Sequence, residues 1–325
     1  MSLFELVGLD APILNEMDNR VAEASALRRF FQEQWDSLQQ LLEDYRQQQA
    51  AEERRVVAVG AAVESIVEGT DRRLRVLSDY KDALRDSARE LLEYIEEIVA
   101  ALPPALPVSK RRLTTDPLLR RLIRSRDQID ELFLRNREIR AFFADPEHQQ
   151  CDAVYALLFV LRYEKRVLGT EMRGDMLMRE VPQTAVNFTG RELLAPRPSE
   201  EAARKALKQV LFDSVVAHAK RQILFKREAL SEKERLQAQL HPEQNLNNPE
   251  VYLHLLRELL SSPRQLLQLH NAELQMNSLD ILLGSEAADS SQSGDRLQFF
   301  EVGVGAERSR VVSLLSYPRA EFQAG

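Results

Sequence analysis

Between Leu14 and Leu102 the chain contains no proline, and its apolar residues recur at alternating steps of four and three. Phe31, Trp35, Leu38, Leu42 and Tyr45 set the register, which resumes after the polar Gln49 and Glu52 at Val56, Val59, Val63 and Ile66. One extra step of four, through Thr70 to Leu74, shifts the phase, and the pattern continues through Leu77, Leu84, Ala88, Leu91, Ile95 and Ile98. A 3.5-residue period keeps a narrow apolar stripe turned toward a neighbouring helix. It predicts long helices packed on other helices. They form an antiparallel hairpin that turns near Gln47-Gln48-Gln49-Ala50 or at Gly69-Thr70-Asp71, or else a rod of about 130 Å lying against a second chain.

The remaining sequence supports the same class. Only 6% of the 325 residues are aromatic and 29% are charged, with 11 glycines, a balance suited to helices packed by Leu, Ala and Val. The expected fold is mainly α: long antiparallel coiled-coil-like helices, plus a helical domain with a small C-terminal β-hairpin. Its domains are an acidic hairpin at 1–102, a proline-rich linker at 103–115, a helical domain at 116–283, and a mobile loop with a hairpin at 284–325.

Local signals place the boundaries. Pro103-Pro104 and Pro107 cannot continue a helix. A capping residue followed by proline marks helix starts at Asp116-Pro117, Asp145-Pro146, Asn248-Pro249 and Ser262-Pro263, and Ser199 opens another. These predict helices over 117–144, 146–171, 199–240, 249–260 and 263–283. Thr184 to Phe188 reads as a short strand or ordered loop. Leu297 to Val302 and Val311 to Ser316, on either side of Gly303-Val304-Gly305-Ala306, read as a hairpin that needs a third strand or a covering helix.

Chemistry is sparse. There is no phosphate-cradling glycine loop, dinucleotide fingerprint or serine-nucleophile elbow. Cys151 stands alone, which excludes an intrachain disulfide and suits a reducing compartment. Its neighbours His148 and Asp152 do not by themselves make a triad. Glu250, His254 and Glu258 share a helical face with His270 and Glu273 on the next predicted helix, so His254, Glu258, His270 and Glu273 are candidate metal ligands. No expected site requires a metal or cofactor. Arg173-Gly174-Asp175 and Asn187-Phe188-Thr189 match extracellular motifs by chance. Met172, Met176 and Met178 are either core filler or an adaptable contact surface.

Charge is uneven. Residues 1–102 carry a net −9 and the remainder +2, whereas Lys110 to Arg140 is locally +5. Lys110, Arg111, Arg112, Arg120, Arg121 and Arg124 are the candidate anion-binding residues. Two pairs spaced i,i+4, Arg126 with Asp130 and Glu131 with Arg135, are expected to neutralise the rest of that segment.

The leading expectation is a non-enzymatic cytoplasmic assembly or adaptor protein acting through helix–helix contact. Phe31, Trp35, Leu38, Leu42, Leu74, Leu77, Leu84 and Leu91 would meet a protein partner or a second copy in a homodimer. A nucleic-acid-associated or phosphate-binding protein using 110–140 is the alternative, and a metal-dependent enzyme on the 249–283 helices the third reading. No membrane span is expected.

Overall fold

The computed structural model describes residues 49–50, 52–173, 176–229, 247–283 and 294–324. The chain divides into two compact units, Met1–Ala61 and Ala62–Gly325. In the first, residues 52–61 are helical. Of the expected interaction residues, Phe31, Trp35, Leu38 and Leu42 lie outside the described residues, so only the second half of the seam is observed.

The second unit is built on a curled, half-barrel sheet of six strands, which overturns the expected coiled coil with a minor hairpin. Its strands are β1 (Leu106–Pro107), β2 (Ala153–Arg173), β3 (Met176–Arg197), β4 (Leu267–Met276), β5 (Asp295–Val304) and β6 (Arg310–Pro318). They lie in the order β3-β2-β6-β5-β4, all antiparallel, with β1 added parallel to β6 at Leu106↔Leu315. β5 leaves β6 after pairing Phe300 with Val312, and β1 fills the lane it vacates. The segment at Ile281 and Leu282 bridges Ala185 of β3 and Met276 of β4, joining the two margins of the sheet at one end.

The curl has a local cause. Three register shifts between β2 and β3 each insert an extra residue into β3, and each carries a left-handed residue: Ala195 at φ 54°, Gly190 at 59° and Glu180 at 57°. An inserted residue bends its strand and increases its twist.

Both sheet faces are covered. Val154, Ala156, Leu158 and Val160 of β2, Leu297 and Phe299 of β5, and Val311, Leu315 and Tyr317 of β6 point to a core shared with the 108–143 segment. That segment is α3 (Arg112–Thr115), α4 (Pro117–Leu122), α5 (Arg126–Ile129), a π turn (Asp130–Leu134) and α6 (Arg137–Ala144). The single helix expected over 117–144 is therefore four short pieces. Ser125 and Asn136 restart it by accepting backbone N–H bonds as caps.

On the opposite face Leu157, Phe159, Val312 and Leu314 are buried beside α7 (Glu200–Glu228), which contacts β2, β3, β5 and β6. Behind α7 lie α2 (Tyr80–Ala101) and α8 (Pro249–Leu260), each touching the other two. α1 (62–69) ends at Thr70, whose hydroxyl donates to the Ile66 carbonyl, and Asp71 caps a 3-10 turn over Arg72–Val76. The phase shift in the heptad pattern is thus a turn. Leu74, Leu84 and Leu91 are fully buried within the chain, and Leu77 is half-buried.

Two further helices expected from sequence are strands. The stretch 146–171 is a 3-10 turn at Pro146–His148 followed by β2, and 263–283 is α9 (Pro263–Leu266) followed by β4. The predicted proline linker is stitched into the fold. Ala105 N–H donates to Glu200, Val108 N–H to the Ser316 carbonyl, and Arg204 to the carbonyls of Val99, Leu102 and Pro103 at the end of α2.

Candidate functional site

β6 pairs with β2 only as far as Arg310, opposite Leu161. Beyond that point β2 and β3 continue as a two-stranded ribbon, whose β3 side is joined at Thr184–Val186 by the segment around Ile281. The unshared part of β2, residues 162–173, spans about 40 Å at strand rise. Isolated two-stranded ribbons are marginal in water, so the foot of this one is clamped. Arg162 Nε donates to Glu301 Oε1 at 2.6 Å and Nη2 to Oε2 at 3.1 Å, reaching across β6 to the nearly buried carboxylate on β5. The same guanidinium binds Glu164. The bond to Glu301 pushes the Arg162 pKa further up, so the clamp stays charged.

Further out, the ribbon presents apolar side chains to solvent. Leu168 is 70% exposed, Met176 67%, Leu177 55%, Tyr163 48% and Met178 40%. Its two margins differ. On β3 the margin carries the Glu180 bulge and Pro182, which has no N–H, and part of it is taken by Ile281 and Leu282. On β2 the register with β3 runs without a shift from Leu161 to Gly169, leaving a regular, proline-free edge in line with the lane β6 vacates. Such an edge presents backbone donors and acceptors at strand spacing. Lys165 and Arg166 stand on it, exposed and without an ion pair among the described residues.

The basic segment is distributed differently from its sequence reading. Arg121, 6% exposed, pairs with Asp280 at 2.8 Å and Asp295 at 3.4 Å and donates to the Asn277 carbonyl. Arg120 binds Asp295 at 3.0 Å, Arg124 binds Asn187 and Asp280, and Lys110 lies 3.5 Å from Asp130. Arg191 joins them by donating to the Leu122 and Arg121 carbonyls, and burial pushes its pKa down, with nearby Arg124 adding to the effect. These arginines hold α4 to the turn after β4. Arg111 and Arg112 are exposed.

The metal candidates are not brought together. His254 and Glu258 are exposed on α8, and His270 and Glu273 are exposed on β4 rather than on a second helix. Glu273 is held below the usual carboxylate range by its hydrogen bond from Arg296. Among the described residues no three or more His, Cys, Asp or Glu are grouped as a metal site. Cys151 is a half-buried free thiol whose carbonyl accepts from Arg319. Its neighbour His148 stacks on Phe142 at 4.1 Å. Arg173 lies near the outer end of the ribbon, and Gly174 and Asp175 lie outside the described residues.

Sequence reasoning missed the ribbon because 146–171 was assigned to a helix. The strand or loop signal at Thr184 to Phe188, which falls in β3, and the methionines Met176 and Met178 were the available signals. No helix among the described residues is long and apolar enough to cross a membrane. Comparison with known proteins adds no relative: no protein-family model, curated protein or solved structure matches this chain.

Proposed function

We propose that this chain is a cytoplasmic, non-enzymatic association protein that captures an extended segment of a partner protein along the β2 edge of its ribbon. The observation that supports it is the regular edge from Arg162 to Gly169, left open where β6 turns away and flanked by exposed Tyr163 and Leu168. A strand added there satisfies the open backbone groups and gains affinity from main-chain hydrogen bonds, while side-chain pockets and charges set specificity. Lys165 and Arg166 lie on opposite faces of the strand and select a partner segment with two consecutive acidic residues, flanked two positions away on each side by apolar residues that meet Tyr163 and Leu168. Methionines on the ribbon adapt to differing side chains, as flexible thioethers do.

The test selects peptides by display against the full-length chain and follows amide exchange on binding. Selected peptides are expected to carry two consecutive acidic residues flanked two positions away by apolar ones, to slow exchange at 162–169, and to bind at least tenfold more weakly to a Lys165→Glu, Leu168→Asp variant with unchanged melting. Peptides that bind the variant equally well, or protect other amides, overturn the reading. Concentration-dependent dimerisation lost in the same variant overturns it in favour of a second copy as occupant.

A further inference from the structure

A separate cleft, away from the ribbon, gathers positive charge that the half-buried Asp280 and Asp295 do not neutralise. Its walls are α6 and the C-terminal helix α10 (Arg319–Ala324). The π turn before α6 sets its chemistry. Arg135 N–H donates to the Asp130 carbonyl, five residues back, at 2.8 Å. The wider turn removes the i,i+4 alignment that would have stacked Arg135 on Glu131, and neither that pair nor Arg126 with Asp130 forms among the described residues. Turns of this type recur at functional sites.

Along α6, Arg137, Arg140, Ala141 and Ala144 share one face by their spacing of three, four and seven, while Ile139, Phe142 and Phe143 are buried on the other. Arg135, Arg137 and Arg140 therefore crowd one mouth, exposed, with no ion pair to any described residue. Like charges so placed repel, and no ion pair among the described residues compensates them.

The floor is apolar. Phe322 packs on Phe143 with ring centroids 4.6 Å apart. Arg319, on the same rim, is committed elsewhere: it donates to the Cys151, Phe143 and His148 carbonyls and lies 4.7 Å over the Phe143 ring, fixing α10 to the end of α6. The cleft is open to solvent and of about 760 Å³, within the size range of small-ligand sites. Guanidinium groups bind phosphate oxygens in a fork that lysine cannot reproduce.

We infer that this cleft binds a small phosphate monoester, its phosphoryl oxygens held by Arg135, Arg137 and Arg140 and its aromatic or aliphatic body lying on Phe322 beside Ala141 and Ala144. A long polyanion is disfavoured because the chain carries net −7 and the charge is confined to one mouth.

Calorimetric titration of the full-length protein with phenyl phosphate, inorganic phosphate and phenol tests the assignment at low ionic strength. Phenyl phosphate is expected to bind saturably and more tightly than inorganic phosphate, with phenol showing no saturation. The variant Arg135→Gln, Arg137→Gln, Arg140→Gln should weaken phenyl phosphate at least tenfold with unchanged melting, since all three side chains are exposed. Phe322→Ala should weaken phenyl phosphate and leave inorganic phosphate unaffected. Equal binding by wild type and the triple variant, or no saturable binding by wild type, overturns the proposal. Tighter binding of a single-stranded oligonucleotide, lost in the triple variant, overturns the small-ligand assignment. Neither variant touches the ribbon, so this test and the peptide test fail independently.

Discussion

Tyr317 shows how a single residue can carry a pH signature. It is fully buried on β6, stacked on Phe133 at 4.3 Å, and its hydroxyl has no hydrogen-bond partner among the described residues. Burial is the main force that pushes its pKa from 10.0 up to about 12, with Glu321 and Asp130 adding negative charge nearby. A folded-state value above the unfolded one means that its contribution is complete below pH 10 and lost as pH rises through 12. Tyr317→Phe removes that titration and leaves no buried hydroxyl to satisfy. The variant should match wild type within about 1 kcal/mol at pH 7. It should also lose less stability between pH 10 and 12, as denaturant midpoints across that range would show. Identical alkaline profiles would refute this account. A different constraint acts at Gly305, where φ is 58° and an added Cβ would fall 2.1 Å from His218; only a residue without a side chain fits.

At the scale of elements, β3 is the shaping strand. Its left-handed positions are filled once by glycine, at Gly190, and twice by residues that pay a steric penalty, at Ala195 and Glu180. Left-handed backbone costs a residue with a Cβ about 1–2 kcal/mol, partly offset in a glycine variant by the freer unfolded chain. Ala195→Gly should therefore stabilise by about 0.5 kcal/mol, and Gly190→Ala, with Leu161 3.3 Å from the added carbon, should destabilise by about 1–2 kcal/mol. Chemical denaturation of the two single variants checks both signs. Stabilisation by Gly190→Ala would show that the bulge is not required. Its partner β2 explains why the sequence reading missed this hairpin. Ala153 to Leu161 is nearly all apolar, and such a run has no period that separates a buried strand from a buried helix. Asp145-Pro146 did mark a real start, but only of a three-residue turn.

At the scale of the whole molecule, α2 belongs to the layer behind the sheet. Leu84, Ala88, Leu91, Ile95 and Ile98 are buried, and α2 contacts α7 and α8. A fragment spanning 103–325 lacks this cover and exposes the backs of both helices. Its melting temperature should fall well below that of the full chain, with binding of an apolar dye, as calorimetry and fluorescence would record. An undiminished cooperative melt would show that α2 is dispensable. The capping residues Asp116, Ser199 and Asn248 and the strands at 297–302 and 311–316 were legible, because each depends on neighbours within a few residues, whereas the turn at Thr70-Asp71 was one of three alternatives that only the fold separated.

The sequence by itself determined where backbone segments start and stop, and which side chains are apolar enough to be buried. Only the tertiary structure decided that 153–173 and 267–276 are strands, since their backbone groups are satisfied by pairing partners that include β6, more than 130 residues beyond the end of β2. It also decided which arginines are neutralised. Asp280 and Asp295 reach Arg120, Arg121 and Arg124 through the fold, whereas Arg135 is left open because one π turn changes its bearing. Pairing across such separations is paid for by closing the whole sheet, a cooperative energy that no local stretch of sequence contains.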